Sequence, residues 1–274
     1  MKEGKDLKYL KYLIYFAAQQ AVSCVFPVAI FFILAISKVI NIPFLYRYDF
    51  ILIACVIVQV MMVHFKLETI EELKVISLFH IIGLALELYK VHMGSWAYPE
   101  YAITKFGGVP LYSGFMYSSV ASYICQAWRR FDLKFINWPS NYITYPLAAV
   151  IYTNFFSHHY ILDLRWFIVL SLFVIFLKSN VEFKVYKKCF KMHLVLSFFL
   201  IGFFIWIAEN ISTFLGAWKY PNQRETWNMV HLQKISSWFL LVIISIIIVA
   251  NLKLKHSSNE IHDDDSFSKV KLKY

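Results

Sequence analysis

The sequence predicts an all-α fold, a polytopic transmembrane bundle of about eight helices, on three observations. These are an apolar composition, a series of apolar runs near membrane length and a one-sided distribution of positive charge. Of the 274 residues, 59% are hydrophobic and only 16% are charged, against roughly 25% charged in a soluble domain. A soluble globule of this size cannot hide that much apolar surface, whereas a bilayer accepts it. The composition also excludes a disordered chain, a collagen-like fibre and a disulfide-stapled secreted module.

The apolar runs place spans at about 13–36, 50–65, 73–91, 110–128, 141–157, 164–178, 193–212 and 231–251. The second, fifth and sixth fall short of a full apolar span and read as tilted partners buried among the others, or as helices extended by aromatic flanks. With these spans, nineteen of the 27 Lys and Arg residues fall on one side, seven on the other and Lys234 within a span. That bias puts both termini in the cytoplasm and the chain in the cell (inner) membrane, and an even number of spans agrees. The net charge of +10 is then a topology signal. No nucleic-acid partner is expected, since the basic residues are scattered between apolar runs.

The first run follows a basic start but is too long for a signal-peptide core and lacks a small-x-small cleavage site, so it reads as an uncleaved anchor. Cys24, Cys55 and Cys125 fall within spans and Cys189 in a cytoplasmic loop, where all four act as small apolar residues. Residues 1–251 make the transmembrane domain. Residues 252–274, with Asp263, Asp264 and Asp265 followed by three lysines, read as a disordered cytoplasmic tail.

An internal repeat organises the chain. Glu87, Gly94, Trp96, Tyr98 and Pro99 recur at the same mutual spacing as Glu209, Gly216, Trp218, Tyr220 and Pro221, at an offset of 122 residues. The copies end the third and seventh spans on the outer side, so both face the same way. The predicted architecture is two parallel four-helix repeats, about 1–130 and 131–251. Gly permits the positive φ of a helix end, Trp and Tyr suit the headgroup boundary, and Pro stops the helix.

The glutamate is what that turn leaves unexplained. A carboxylate at the end of an apolar helix faces a partner or a water-filled cavity, or else snorkels to the interface. Desolvated, it becomes a proton donor or carrier near neutral pH. Topology brings other polar residues to the same depth: His231 and Lys234 of the eighth span, Asn154, His158 and His159 at the end of the fifth, Asp163 and Arg165 beyond it, and Tyr112, Ser113 and Tyr117 of the fourth. His80 lies two turns below Glu87 on roughly its face. The expectation is a pocket opening outward, with Glu87, Glu209, His80, His231 and Lys234 as its acid–base residues. Its lining would be Trp96, Tyr98, Trp218, Tyr220, Tyr112, Ser113, Asn154, His158, His159, Asp163 and Arg165. Lys234 must be paired or solvated, and Glu209 is its natural partner. Acidic residues within the spans are read as confined to the outer half, and Gln19, Gln20, Gln59 and Gln126 as interhelical hydrogen-bonding residues toward the cytoplasm.

No metal or cofactor is predicted. The adjacent pair His158 and His159 with Asp163 is a weak ligand pattern. The nine histidines are too dispersed for a di-iron site, and no phosphate-binding glycine loop occurs. Ser113-Gly114 lacks a nucleophile-elbow pattern.

The runs Glu87 to Tyr117, His158 to Trp166 and Glu209 to Trp238 resemble a bacterial family of integral membrane proteins of unknown function, the YoaT-like proteins. More remotely, an acidic residue before G-x-W-x-Y, followed by Gly108-Val109-Pro110-Leu111, is similar to patterns in small lycopene cyclases and carotenoid hydratases. That resemblance implies cofactor-free acid chemistry on long isoprenoids, although Leu111 and Tyr112 stand where the cyclases carry paired glutamates. Three functions follow as expectations. One is an enzyme that modifies a lipid or isoprenoid with Glu87 and Glu209 as general acid and base; another is a proton-coupled transporter of a small solute. A non-catalytic membrane scaffold is the third. Membrane lipids and an isoprenoid or small-molecule ligand are the expected partners, with no oligomeric state fixed.

Overall fold

The computed structural model describes residues 2–250; the predicted tail, 252–274, lies outside the described residues. Helices carry the fold: α1 (Lys2–Ser23), α2 (Val25–Val39), α3 (Arg47–His64), α4 (Ile70–His92), α5 (Gly114–Phe131), α6 (Asn141–Ser157), α7 (Arg165–Ile175), α8 (Leu194–Phe214) and α9 (Lys234–Ala250). Each predicted apolar run has its helix. By length and hydropathy, α3, α4 and α8 can each cross a bilayer, and α1 with α2 makes a fourth candidate bent by 61°.

The bend corrects the single first span. Pro27, in the first turn of α2, has no N–H to give the carbonyl four residues back at Ser23, and its ring crowds that carbonyl. The chain breaks at Cys24. The sixth run is also shorter than expected, because α7 ends at Ile175 and the chain turns into a strand.

That strand corrects the all-α reading. β4 (Asn180–Val185) and β5 (Lys188–His193) form a two-residue hairpin around Tyr186, which has φ 55°, and β3 (Lys134–Ile136) pairs with β4 to complete an antiparallel sheet. Polar Asn180, Glu182 and Lys184 alternate with apolar Val181, Phe183 and Val185, the period of a strand with one buried face. A smaller hairpin, β1 (Lys105–Phe106) with β2 (Val109–Pro110), turns on Gly107 and Gly108 at φ 56° and 82°.

The repeated motif builds the same turn twice. α4 runs into Gly94 at φ 69° and α8 into Gly216 at φ 72°. The Gly94 N–H donates to Val91 O and Ser95 N–H to Lys90 O; the Gly216 N–H donates to Thr213 O and Ala217 N–H to Ser212 O, all at 2.9–3.0 Å. These paired bonds cap the last free carbonyls of each helix around a left-handed residue that favours glycine. The two turns then meet. Ala97 and Lys219, themselves 122 residues apart, exchange both backbone hydrogen bonds at 2.9 Å, so each pairs with its own counterpart in the other copy.

Glycines bring the helices behind these turns close together. A Cβ on Gly83 of α4 would lie 2.5 Å from the Tyr117 ring of α5, and one on Gly202 of α8 2.9 Å from the Phe239 backbone nitrogen of α9. One apolar core surrounds Ile151, Leu172, Phe198 and Val242; a second surrounds Phe26, Leu34, Tyr48 and Ala217.

At the far end of α4, Glu68 and Glu72 are each only 2% exposed, which overturns the confinement of acidic residues to the Glu87 half. Glu68 accepts hydrogen bonds from Gln59 Nε2 at 2.5 Å and from Ser122 Oγ. Thr69 and Glu72 cap the start of α4 reciprocally. Gln126 Nε2 donates to Leu67 O at 2.6 Å, and Gln20 Oε1 accepts from Tyr123 at 3.0 Å. Of the four glutamines expected to bond between helices, Gln20 does so, to Tyr123 of α5; Gln59 and Gln126 instead hold the α3–α4 loop through Glu68 and Leu67, and no side-chain hydrogen bond of Gln19 occurs among the described residues.

Candidate functional site

Glu87 lies one and a half turns before the end of α4, and Glu209 holds the same place in α8. Both are nearly fully buried, at 5% and 4% exposure. Burial of a carboxylate is costly unless donors surround it, and the motif supplies them. Eleven residues beyond each glutamate, the tyrosine of the turn folds back onto it: Tyr98 OH donates to Glu87 Oε2 at 2.8 Å, and Tyr220 OH donates to Glu209 Oε1. The remaining donors differ. Glu87 also receives Trp96 Nε1 at 2.6 Å and Tyr117 OH of α5 at 2.7 Å, whereas Glu209 receives Trp238 Nε1 of α9 at 2.7 Å. Burial, and then the adjacent carboxylates, push the Tyr98 and Tyr220 hydroxyls well above the ordinary tyrosine value, so both stay protonated donors.

The two glutamates line one cavity of about 110 Å³. Of the residues singled out in the sequence, Trp96, Tyr98, Trp218, Tyr220, His158, Arg165, Lys234 and Tyr117 line it too, together with Trp238, Lys90, Ser95 and Ser237. Lys234 opens α9. Among the described residues it makes no ion pair with Glu209; its Nζ lies 5.0 Å from the Trp96 ring centre and 4.7 Å from that of Tyr220. One residue of each copy therefore holds it by cation–π attraction, and the expected direct pairing gives way to this cage. Lys90, counted among the outer-side charges, is instead a buried residue of the last turn of α4. Its Nζ lies 3.4 Å from His158 Nε2 and 3.2 Å from His159 Nε2. Burial first and Lys90 second depress both imidazoles below the ordinary histidine value.

Several expected members lie off the cavity. His80 packs against Gly114 and, at 4.6 Å between ring centres, Phe115. His231 is exposed in the segment before α9. Tyr112 is buried and donates to Ala217 O, tying the start of α5 to the second turn. Ser113 is buried one residue on. His159 does not line the cavity but touches two residues that do, Lys90 and, at 4.1 Å between ring centres, His158. Asn154 and Asp163 shape the α6–α7 connection: Asn154 Nδ2 donates to Asp163 Oδ1 at 3.2 Å, Asn154 Oδ1 accepts from Leu164 N at 3.1 Å, and Asp163 pairs with Arg165 at 3.3 Å. They position Arg165 and do not line the site.

Trp238, Lys90, Ser95 and Ser237 were missed. Lys90 was detectable, since it follows Glu87 by three residues and so shares its helix face. Trp238 carries no motif signal, because its counterpart position in the first half holds Met116.

Residues 12–246 match a family described as a protein of unknown function (DUF817). The chain is 56% identical over 264 residues to the protein named "Uncharacterized protein YoaT" from Bacillus subtilis (strain 168), covering 96% of this chain and all of that one. No solved structure matches. The shared cavity, the paired turns and the helices that hold them fall within the matched region, and the chain belongs to the YoaT-like DUF817 family.

Proposed function

We propose that this chain is a multi-pass protein of the bacterial cell membrane, with eight spans in two parallel four-helix repeats and both termini in the cytoplasm. In this reading its inter-repeat cavity performs acid–base chemistry on the polar end of a lipid or isoprenoid. The observation that carries the proposal is the meeting of Glu87 and Glu209, one from each motif copy, around Lys234 in a single cavity. Buried carboxylates held by hydroxyl donors suit proton exchange, because Tyr98, Tyr117 and Tyr220 can pass a proton between carboxylate and ligand. Glu87 and Glu209 act as general acid and base, and Lys234 sets the local charge.

A cavity of about 110 Å³ suits a headgroup or the end of an isoprenoid, with the apolar chain left in the bilayer. The cofactor-free acid chemistry of the carotenoid-modifying proteins is the nearest chemical analogy. His80 and His231 drop out of this reading.

The test compares untargeted lipid extracts from cells with the intact protein, no protein, or a Glu87→Gln, Glu209→Gln double variant at equal membrane abundance. A species that changes only with the intact protein is expected. Activity that survives both substitutions would falsify the assignment. One observation favours a second reading, proton-coupled transport: Glu68 is buried at the opposite end of α4, so carboxylates sit at both ends of the same helix pair. Proton uptake with a solute that needs both Glu68 and Glu87 would support it.

A further inference from the structure

We infer that the ligand of this cavity presents an oxyanion, a carboxylate or phosphate group, to Lys234. The inference rests on the cavity proposed above and names its ligand class.

The argument is one of hydrogen-bond stoichiometry. Every carboxylate oxygen of the cavity already accepts at least one hydrogen bond: Glu87 takes three donors and Glu209 two, all from Trp and Tyr side chains. Donors remain. An ammonium carries three N–H groups and no acceptor. Lys90 gives two of its three to the histidine rings, and Arg165 is engaged by Asp163 and by Ser236 Oγ at 3.3 Å. Lys234, largely buried, has no oxygen or nitrogen partner among the described residues, only the faces of Trp96 and Tyr220. The hydroxyls of Ser95 and Ser237, which line the same cavity, likewise have no protein partner among the described residues.

A largely buried ammonium with no protein acceptor is best satisfied by a group rich in acceptor oxygens. A cationic ligand meets the reverse situation: Lys234 already occupies the aromatic cage, and each carboxylate oxygen is already engaged by a Trp or Tyr donor. A carboxylate or phosphate instead forms charge-assisted hydrogen bonds to Lys234.

Trp96, Trp218 and Trp238 surround the site and report on it. Purified full-length protein in phosphatidylcholine nanodiscs is titrated with sodium phosphate, sodium acetate, short-chain phosphatidic acid and methylammonium chloride at constant ionic strength, with tryptophan fluorescence as the readout. A saturable response to at least one oxyanion and none to methylammonium is expected. Lys234→Met should weaken it at least about tenfold, the loss of one hydrogen bond to a charged group, while Lys234→Arg keeps most of it. Saturation by phosphatidic acid alone assigns a lipid headgroup; saturation by phosphate or acetate assigns a free anion. A response to methylammonium only, no saturable response to any oxyanion, or equal affinities in wild type and Lys234→Met overturns the inference. Oxyanion binding that persists while the lipid extracts stay unchanged defeats the acid–base reading alone.

Discussion

The two copies of the motif share a backbone but differ in what holds it. In both, a glycine with positive φ ends the helix and a tyrosine eleven residues beyond the glutamate returns to it. α4 carries Lys90 and His92 in its last turn, whereas α8 has no basic residue there. Cations from elsewhere serve α8: Lys38 Nζ donates to Phe214 O at 2.8 Å, and Arg47 donates to Leu215 O at 2.7 Å and Gly216 O at 3.0 Å. Local sequence therefore sets the turn, while the charge that stabilises it can come from any segment that reaches it. The first copy keeps Lys90 in the helix, where it also lines the cavity. The second takes Lys38 from α2 and Arg47 from α3, and the last turn of α8 carries no basic residue of its own.

The largest expected effect breaks the carboxylates themselves. Glu87→Leu leaves three donors without an acceptor and Glu209→Leu leaves two, at about 1–3 kcal/mol for each orphaned buried group. Thermal unfolding in detergent should show both variants strongly destabilised, Glu87→Leu more so. Equal losses would mean that the donor count does not govern the difference. Glu→Gln at either site keeps an acceptor and should lose far less stability, which separates folding from chemistry.

Next comes the close helix approach behind each turn. Gly202→Ala sets a methyl group against the backbone of α9, while Gly83→Ala meets the Tyr117 ring. Overpacking of this kind costs about 1–3 kcal/mol. Gly202→Ala should lower the unfolding temperature more, because backbone yields less than a side chain. Gly83→Ala should impair function out of proportion to stability, since it displaces the ring that donates to Glu87. The reverse order would show that α8 and α9 part more easily than their contact implies.

Much of this arrangement was legible in the sequence, and the reason is periodicity. The runs 141–157 and 193–212 coincide with α6 and α8 to within two residues, because long apolar runs between polar loops have few alternatives. The identical spacing of the motif located both turns and pointed to Glu87 and Glu209, while Lys234 was singled out as a charge within an apolar run. What stayed hidden depends on tertiary contact. The hairpin of β4 and β5 alternates over only six residues a strand, amid a lysine-rich stretch that reads first as a topology signal. Pro27 was visible, but a proline in an apolar run does not say whether the helix kinks or continues. Glu68 lies within two residues of Lys66 in a polar loop, and only the packing of Gln59 and Ser122 around it makes it a buried group.

A smaller effect sharpens the comparison of the donors that α5 and α9 contribute. Tyr117→Phe removes one of three hydrogen bonds to Glu87 and Trp238→Phe one of two to Glu209, about 1 kcal/mol each before neighbouring donors compensate. Trp238→Phe also deletes aromatic area from the cavity wall, so its loss should be the greater. Combining Tyr117→Phe with Glu87→Leu should be clearly non-additive, because the tyrosine then has no carboxylate to lose. Additivity would mean that Tyr117 stabilises the bundle only by packing against Gly83.

The smallest effect tests whether the first copy alone responds to acid. Lys90 joins His158 and His159 there, while its counterpart 122 residues on is the buried Ser212. Burial and Lys90 hold both imidazoles below the ordinary value near 6.5, with Arg165 also facing His158 and Lys234 facing His159. The folded state thus prefers neutral rings. The stability they lend is present above the unfolded value and is lost as pH falls through the lower folded values. Unfolding temperature should therefore decline below about pH 6.5. A His158→Gln, His159→Gln double variant, which still offers acceptors to Lys90, should flatten that decline, whereas Ser212→Ala should leave its slope unchanged. If acid destabilises the double variant as steeply as the wild type, the protons act on another group, and the asymmetry between the two copies does not extend to pH.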